Sequence, residues 1–266
     1  MSDPFVPRAG GILSADIAVP EHERELRFYA RVLTTGEAPL WRDDLMNSRG
    51  MPVIGLGART EEYADLPLQW MPHIQVADVA ASAARALELG GTELMHGKDD
   101  QGNSQWAVLQ DANGAAFGII PVVPEEALSP ASGDGAGDTA TPTGHISWVE
   151  LTVSDAPATR DFYHQVVGWS ATEVEVEDES ERYADYSMCT EDGSTAARIR
   201  HARGVNRGVP PVWMIHLPVR DLAESLRRVL EEEGTIVQSV TGSDGKSVSA
   251  VVQDPVGVHL ALVQGE

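Results

Sequence analysis

Four stretches of the chain alternate apolar and polar residues and run directly into a helical pattern: 12–19 then 21–33, 70–76 then 78–89, 146–153 then 155–167, and 213–219 then 221–233. Alternation of period two predicts a half-buried strand, and apolar residues three and four apart predict an amphipathic helix. In the last helix Leu222, Leu226, Val229 and Leu230 form one stripe, and Gly234 stands where a glycine commonly ends a helix. Asp78, Asp155 and Asp221 occupy N-cap positions. Each helix is followed by two or three short strands punctuated by Gly, Asp and Asn, so the unit reads βαβββ and the chain holds four of them.

The units repeat in detail. Asp16, Phe28 and Tyr29 recur as Glu150, Phe162 and Tyr163 at a spacing of 134, while Trp70, His73, Asp111 and Gly114 recur as Trp213, His216, Asp254 and Gly257 at 143. The difference of nine places an insertion in the second half, between Trp169 and Ala197. The segment from Pro124 to Gly144 is rich in Pro, Gly, Ser, Thr and Ala and has almost nothing to bury, which predicts a linker. The expected organisation is a first domain over 1–123, a linker over 124–143 and a second domain over 144–266.

Composition narrows the function. With 41 acidic and 19 basic residues the net charge is −22, which repels phosphate backbones and anionic membranes, so nucleic acid and membrane are not expected partners. The densest basic run holds Arg198, Arg200, Arg203 and Arg207 around His201 and reads either as a solvated loop or as a mouth for an anionic ligand. Cys189 is the single cysteine, so an intrachain disulfide and a cysteine-based zinc site are excluded. Neither a signal peptide nor an apolar run of membrane-spanning length is present, and a cytoplasmic protein, monomer or homodimer, is expected.

FYARVL and FYHQVVGW on the first helix of each half, with DANGAAFGII and DPVGVHLALV near each end, give the chain a resemblance to the vicinal-oxygen-chelate superfamily of glyoxalases, bleomycin-resistance proteins and dioxygenases. It covers nearly everything outside the linker. The resemblance implies an α+β fold in which the four βαβββ units form two cup-shaped mixed sheets with helices outside. Metal-dependent members of the family take a His or Gln from the first strand of each unit and a Glu from its last. The matching positions here are Ser14, Gly55, Met71 and Gly118 in the first cup, and Trp148, Arg198, Met214 and Ala261 in the second. Neither cup keeps three nitrogen or oxygen ligands, so no metal and no other cofactor is expected, and glyoxalase I or extradiol dioxygenase chemistry is disfavoured.

Alternation turns other side chains inward instead. Val149, Leu151 and Val153 should lie under a helix, leaving Trp148, Glu150 and Thr152 on the inner face; Ala15, Ile17 and Val19 likewise leave Ser14, Asp16 and Ala18. Met71, His73 and Gln75, and Met214 and His216, turn inward in the even units. Asp16 with His73, and Glu150 with His216, then form candidate carboxylate–imidazole dyads for proton transfer, with the second cup the expected active one. The same pairs read equally as structural bridges between two halves of a sheet. A displaced metal site through Glu150, His216 and His259 is the third reading. Trp148, Met214, His259, Tyr183 and Tyr186 are the candidate ligand-binding residues, whereas Trp70 and Trp213 should seal the core and Cys189 has no support as a nucleophile. The expected function is a small-molecule enzyme working without metal, an isomerase, cyclase or lyase. The alternatives are a drug-sequestering binding protein of the bleomycin-resistance type and a metal-dependent enzyme of the family.

Overall fold

A computed structural model describes residues 7–33, 45–46, 52–124, 145–177, 182–243 and 245–265. Apart from Pro124, the linker expected at 124–143 lies outside the described residues, as does part of the expected insertion. The first quarter consists of β1 (Ile12–Val19), α1 (His22–Leu33), β2 (Leu45–Met46) and β3 (Pro52–Ala58), and the second of β4 (Met71–Val76), α2 (Val79–Glu88), β5 (Thr92–Lys98), β6 (Ser104–Gln110) and β7 (Ala116–Pro121). The third has β8 (Trp148–Val153), α3 (Ala156–Val167), β9 (Ser170–Glu177), β10 (Arg182–Cys189) and β11 (Thr195–His201), and the fourth has β12 (Trp213–Val219), α4 (Leu222–Glu231), β13 (Thr235–Thr241), β14 (Ser247–Gln253) and β15 (His259–Gln264). The strands make two mixed sheets, one ordered β2-β3-β1-β4-β7-β6-β5 and the other β13-β14-β15-β12-β8-β11-β10-β9. No helix among the described residues is long and apolar enough to cross a membrane.

Helices α2, α3 and α4 begin where a carboxylate caps them. Asp78, Asp155 and Asp221 accept hydrogen bonds from the backbone N–H of Ala81, Ala158 and Glu224, each satisfying a donor the helix leaves unpaired. Gly168 ends α3 at φ 88° in the left-handed region. The end of α4 departs from the sequence reading. Glu233, at φ 66°, takes the left-handed position, and Gly234 follows it with no positive φ. Glycine is needed at 234 for space, because a Cβ there would sit 2.7 Å from the Gln253 carbonyl oxygen and 2.8 Å from the Phe28 ring. Leu230, expected in the apolar stripe, is exposed, and Ser225 is buried in its place with its hydroxyl donating to the Val32 carbonyl at 2.7 Å.

The sheets follow the halves of the chain, but the compact units do not. One unit comprises Met1–Leu13, Met71–Glu125 and Trp148–Trp213, and the other Ser14–Trp70, Glu126–Ser147 and Met214–Glu266. Each therefore takes elements from both halves of the sequence. In the first, α2 packs with α3, and Phe117 of β7 meets the rings of Phe162 and Tyr163 edge-on. In the second, α1 packs with α4, and Tyr29 meets Trp70 edge-on. The repeated residues occupy matching places: Tyr163 donates to Asp111 at 3.4 Å in one unit and Tyr29 to Asp254 at 2.8 Å in the other. Trp70 and Trp213 are fully buried, as expected of core residues.

Candidate functional site

Backbone register tests the fourfold alignment of the inward positions. Asp16 pairs with Gly55, His73 with Gly118, Glu150 with Arg198 and His216 with Ala261, all in parallel. In every quarter, then, the residue two places beyond the first-strand ligand position sits beside the last-strand one. This regularity gives the four units one common register, with Gly55 and Arg198 at places equivalent to Gly118 and Ala261. It also tests the donor set the superfamily uses for metal. Glycine, glycine, arginine and alanine at the last-strand positions offer no side-chain ligand, so a divalent ion does not fit there. No group of three or more His, Cys, Asp or Glu side chains able to hold an ion occurs among the described residues, and the Glu150, His216 and His259 set is therefore not such a group.

The richest side-chain chemistry lies in the first compact unit, on β8, β10 and β11. Tyr186 pairs with Ile199, and Arg160 of α3 lies over the Tyr186 ring at 4.7 Å, which identifies that side of the sheet as the helix side. Val149, Leu151 and Val153 are buried. Trp148, Glu150, Arg198 and Arg200 alternate with these buried residues and occupy the opposite face. The Arg200 guanidinium donates through Nη1 to the two Glu150 oxygens at 3.3 and 3.4 Å. Its Nε lies 3.6 Å from Asp185, whose side chain is only 3% exposed. Asp185 in turn accepts the His201 backbone N–H at 2.9 Å and faces that ring's Nδ1 at 3.2 Å. Arg198 stands over the Trp148 ring at 5.6 Å, and its buried Nε has no hydrogen-bond partner among the described residues. Further along, Tyr183 meets the His201 ring edge-on at 5.2 Å and carries Arg203 above it at 5.5 Å.

One guanidinium anchored by carboxylates, Arg200, and another over an indole, Arg198, put positive charge and a flat ring side by side, the chemistry suited to a planar anion. Arg198 and Arg200 belong to a strand, which corrects the solvated-loop reading of the basic run; Arg203 and Arg207 follow the strand's end. Sequence reasoning missed Arg200 and Asp185 as the partners of Glu150. The Arg-x-Arg spacing at 198 and 200 was the available signal, since two arginines at period two on a strand share one face. Tyr186, expected among the ligand-binding residues, is 5% exposed and lies on the helix side of the sheet. Met214 is also buried, at 3%.

The other expected residues have local settings of their own. Asp16 is exposed, with its carboxylate lying against Gly55, where a Cβ would collide with it. His73 is half-buried, and a Cβ at Gly118 would lie 2.6 Å from its ring. Gln75, read as inward-facing, is fully buried, its carbonyl oxygen Oε1 accepting the Val123 N–H at 3.0 Å. Burial holds His259 below the usual imidazole range, opposed by the negative charge of Asp254. Each dyad draws one residue from each compact unit, and the register defines only the neighbour each residue has on its adjoining strand.

Comparison with known proteins gives the same fold. Residues 145–262 match the Glyoxalase/Bleomycin resistance protein/Dioxygenase superfamily, and residues 14–120 match a Glyoxalase-like domain. The anthracycline biosynthesis protein DnrV of Streptomyces peucetius is 26% identical over 199 residues, covering 75% of this chain and 66% of that protein, so the chain spans just under two thirds of this relative's length. Among solved structures, the Mn(II)-bound glyoxalase from Novosphingobium aromaticivorans aligns with a TM-score of 0.59 at 15% identity, over 97% of this chain and 83% of the other. A homoprotocatechuate 2,3-dioxygenase from B. fuscum aligns with a TM-score of 0.57 at 15% identity, over 97% and 72%.

Proposed function

The chain belongs to the glyoxalase/bleomycin resistance protein/dioxygenase superfamily, and from that membership we propose that it is a small-molecule enzyme in which fixed guanidinium groups take the place of the divalent ion. The observation that carries this reading is Arg198, which occupies a former metal-ligand position beside Glu150 and lies over Trp148. A cation held there supplies the positive charge that stabilises a developing enolate, the electrophilic task otherwise given to a metal. Trp148 offers a plane on which a flat substrate stacks. Glu150 is the general base: it takes a proton from the carbon next to a carbonyl, the C–H electrons form the enolate double bond, and the oxygen's charge falls on Arg198. Returning the proton at another carbon completes an isomerisation; attack of the enolate carbon on a second carbonyl of the substrate, whose oxygen then takes the proton, completes a ring closure. Arg200 and Asp185 are positioning residues that hold Glu150 and the charge balance in place. The DnrV name directs the first screen to anthracycline-type polyketides and other planar, enolisable aromatic acids.

The test is binding, followed by exchange. Protein purified without added metal should carry no stoichiometric ion and should be stabilised by a member of that panel in thermal shift and tryptophan quenching. Arg198→Met should weaken binding by about 10- to 100-fold, the worth of a charge-assisted hydrogen bond. Glu150→Gln should retain binding but abolish deuterium incorporation at the acidic carbon, followed by NMR in D2O. Tight binding with no exchange in the native protein replaces this reading by a sequestering function. Exchange that disappears with a chelator and returns with a divalent ion refutes the guanidinium role.

A further inference from the structure

The two compact units are built on one plan, and where they differ one of them buries an additional acid. In the first unit, Asp111 is shared among neutral donors. Its oxygens accept the N–H of Asn113 at 2.8 Å and of Ala115 at 2.9 Å, the Asn113 amide at 3.1 Å and the Tyr163 hydroxyl at 3.4 Å. The Asn113 amide also reaches Thr159 at 3.0 Å, and Thr159 donates back to the Asp155 carbonyl at 2.8 Å. One carboxylate and four neutral donors make a closed network.

The second unit repeats the frame with different chemistry. Asp254 takes the place of Asp111, accepting N–H groups from Val256 at 3.1 Å and Val258 at 2.7 Å and the Tyr29 hydroxyl at 2.8 Å. By the repeat spacing, Val256 stands where Asn113 was and Glu25 where Thr159 was. The amide is lost and a second carboxyl is gained. Glu25 is fully buried in the first turn of α1, where its oxygens find no neutral donor among the described residues and the hydrogen bond its carboxyl makes is to Asp254. Two carboxylates buried together cannot both keep their charge cheaply, so one of them holds a proton.

We infer that Glu25 and Asp254 form a buried pH-sensitive latch beneath α1, closed while Glu25 holds its proton and progressively released as the proton is lost. Burial, and then the charge of Asp254, push Glu25 from the ordinary 4.5 up to about 8. Burial likewise raises Asp254. The other charges that bear on Glu25 are Arg24, which favours its ionised form, and Glu21, which opposes it. Arg24 is already engaged by Glu21 at 3.1 Å and by Glu233, which follows α4, at 2.6 Å, so it is not free to neutralise Glu25. From the β14–β15 side, Asp254 also acts on His259 of β15.

The direction follows from proton counting. Whenever α1 lifts, Glu25 meets water and titrates near 4.5, whereas in place it titrates near 8. Between those values the closed state binds the extra proton, so closure is strongest at low pH, weakens by up to about tenfold per pH unit and levels off above the upper value. Because α3 rests on a network with a single carboxyl, Asp111, which burial raises but four donors hold in its charged form, its closure should change far less.

Hydrogen exchange on the full native chain between pH 5 and 9, corrected for intrinsic rates, tests this. Protection of the α1 amides should fall steeply up to about pH 8 and then level, while α3 should fall by less than about threefold per unit. Glu25→Gln should flatten the α1 profile. The double change Glu25→Thr with Val256→Asn, which transplants the first unit's solution, should flatten it as well. The latch is refuted if α1 and α3 respond alike in the native protein, or if the steep α1 profile persists in either folded variant. Should neither variant fold, the comparison of α1 with α3 in the native chain decides alone.

Discussion

Glycine at 55 and 118 lets Asp16 and His73 lie against the adjoining strand, because a Cβ at either position would occupy space the opposite side chain uses. The second sheet solves the same register differently, with Arg198 opposite Glu150 and Ala261 opposite His216. The two sheets therefore offer different inner surfaces from one backbone plan. Gly118→Ala should move the His73 ring and shift the chemical shifts of its ring protons while changing stability by less than about 1 kcal/mol, since a half-buried ring can swing aside. Unchanged ring-proton resonances of His73 would mean that Gly118 does not set the ring's position. This level of detail was only partly legible in the sequence. Alternation identified the face of Asp16, His73, Glu150 and His216, since period two is a property of the strand alone. It did not identify Arg200 and Asp185 as partners of Glu150, because cross-strand neighbours depend on a register that one strand does not contain.

The end of α4 shows how an element's sequence signal can be right about place and wrong about cause. Gly234 marks the helix end as expected, yet the left-handed residue is Glu233 and the glycine serves close packing against Gln253 and Phe28. Both parts are testable by urea denaturation. Glu233→Gly should stabilise by about 0.5–1 kcal/mol, since glycine adopts positive φ without a Cβ penalty and the exposed ion pair with Arg24 is worth little. Gly234→Ala should destabilise by about 1–3 kcal/mol, because the colliding atom is a backbone oxygen that has no rotamer to change. If Gly234→Ala were neutral while Glu233→Gly was destabilising, the sequence reading of Gly234 as the left-handed cap would be restored. The helix starts were fully legible for the opposite reason: an N-cap is a local bond between a side chain and a backbone N–H three residues on, as at Asp78, Asp155 and Asp221.

At the scale of the molecule, repetition was the strongest signal in the sequence, and it carried the four units, the two sheets and their order. It carried nothing about which copy packs on which. Tyr29 and Tyr163 each have two equivalent partners in the repeat, Asp111 and Asp254, and a repeat cannot choose between them. The structure joins Tyr29 to Asp254 and Tyr163 to Asp111, so each compact unit is closed by a buried bond between distant halves of the chain. A linker rich in small polar residues suggests two independently folding domains over 1–123 and 144–266, whereas the composition of the units argues for interdependence. A half expressed alone would expose the apolar faces its missing partners cover, including Phe28, Val32, Phe117 and Tyr163, all nearly inaccessible in the whole chain. Removing that burial costs about 25 cal/mol per Å² of apolar surface, far beyond the margin by which a domain of this size is stable. Chains split between Pro130 and Pro142 and produced together should therefore elute as a one-to-one complex with a native spectrum, while either half produced alone should give collapsed NMR dispersion and bind a hydrophobic dye. A well-dispersed spectrum and a cooperative melt from one half by itself would show that the sheet, and not the compact unit, is the folding unit of this chain.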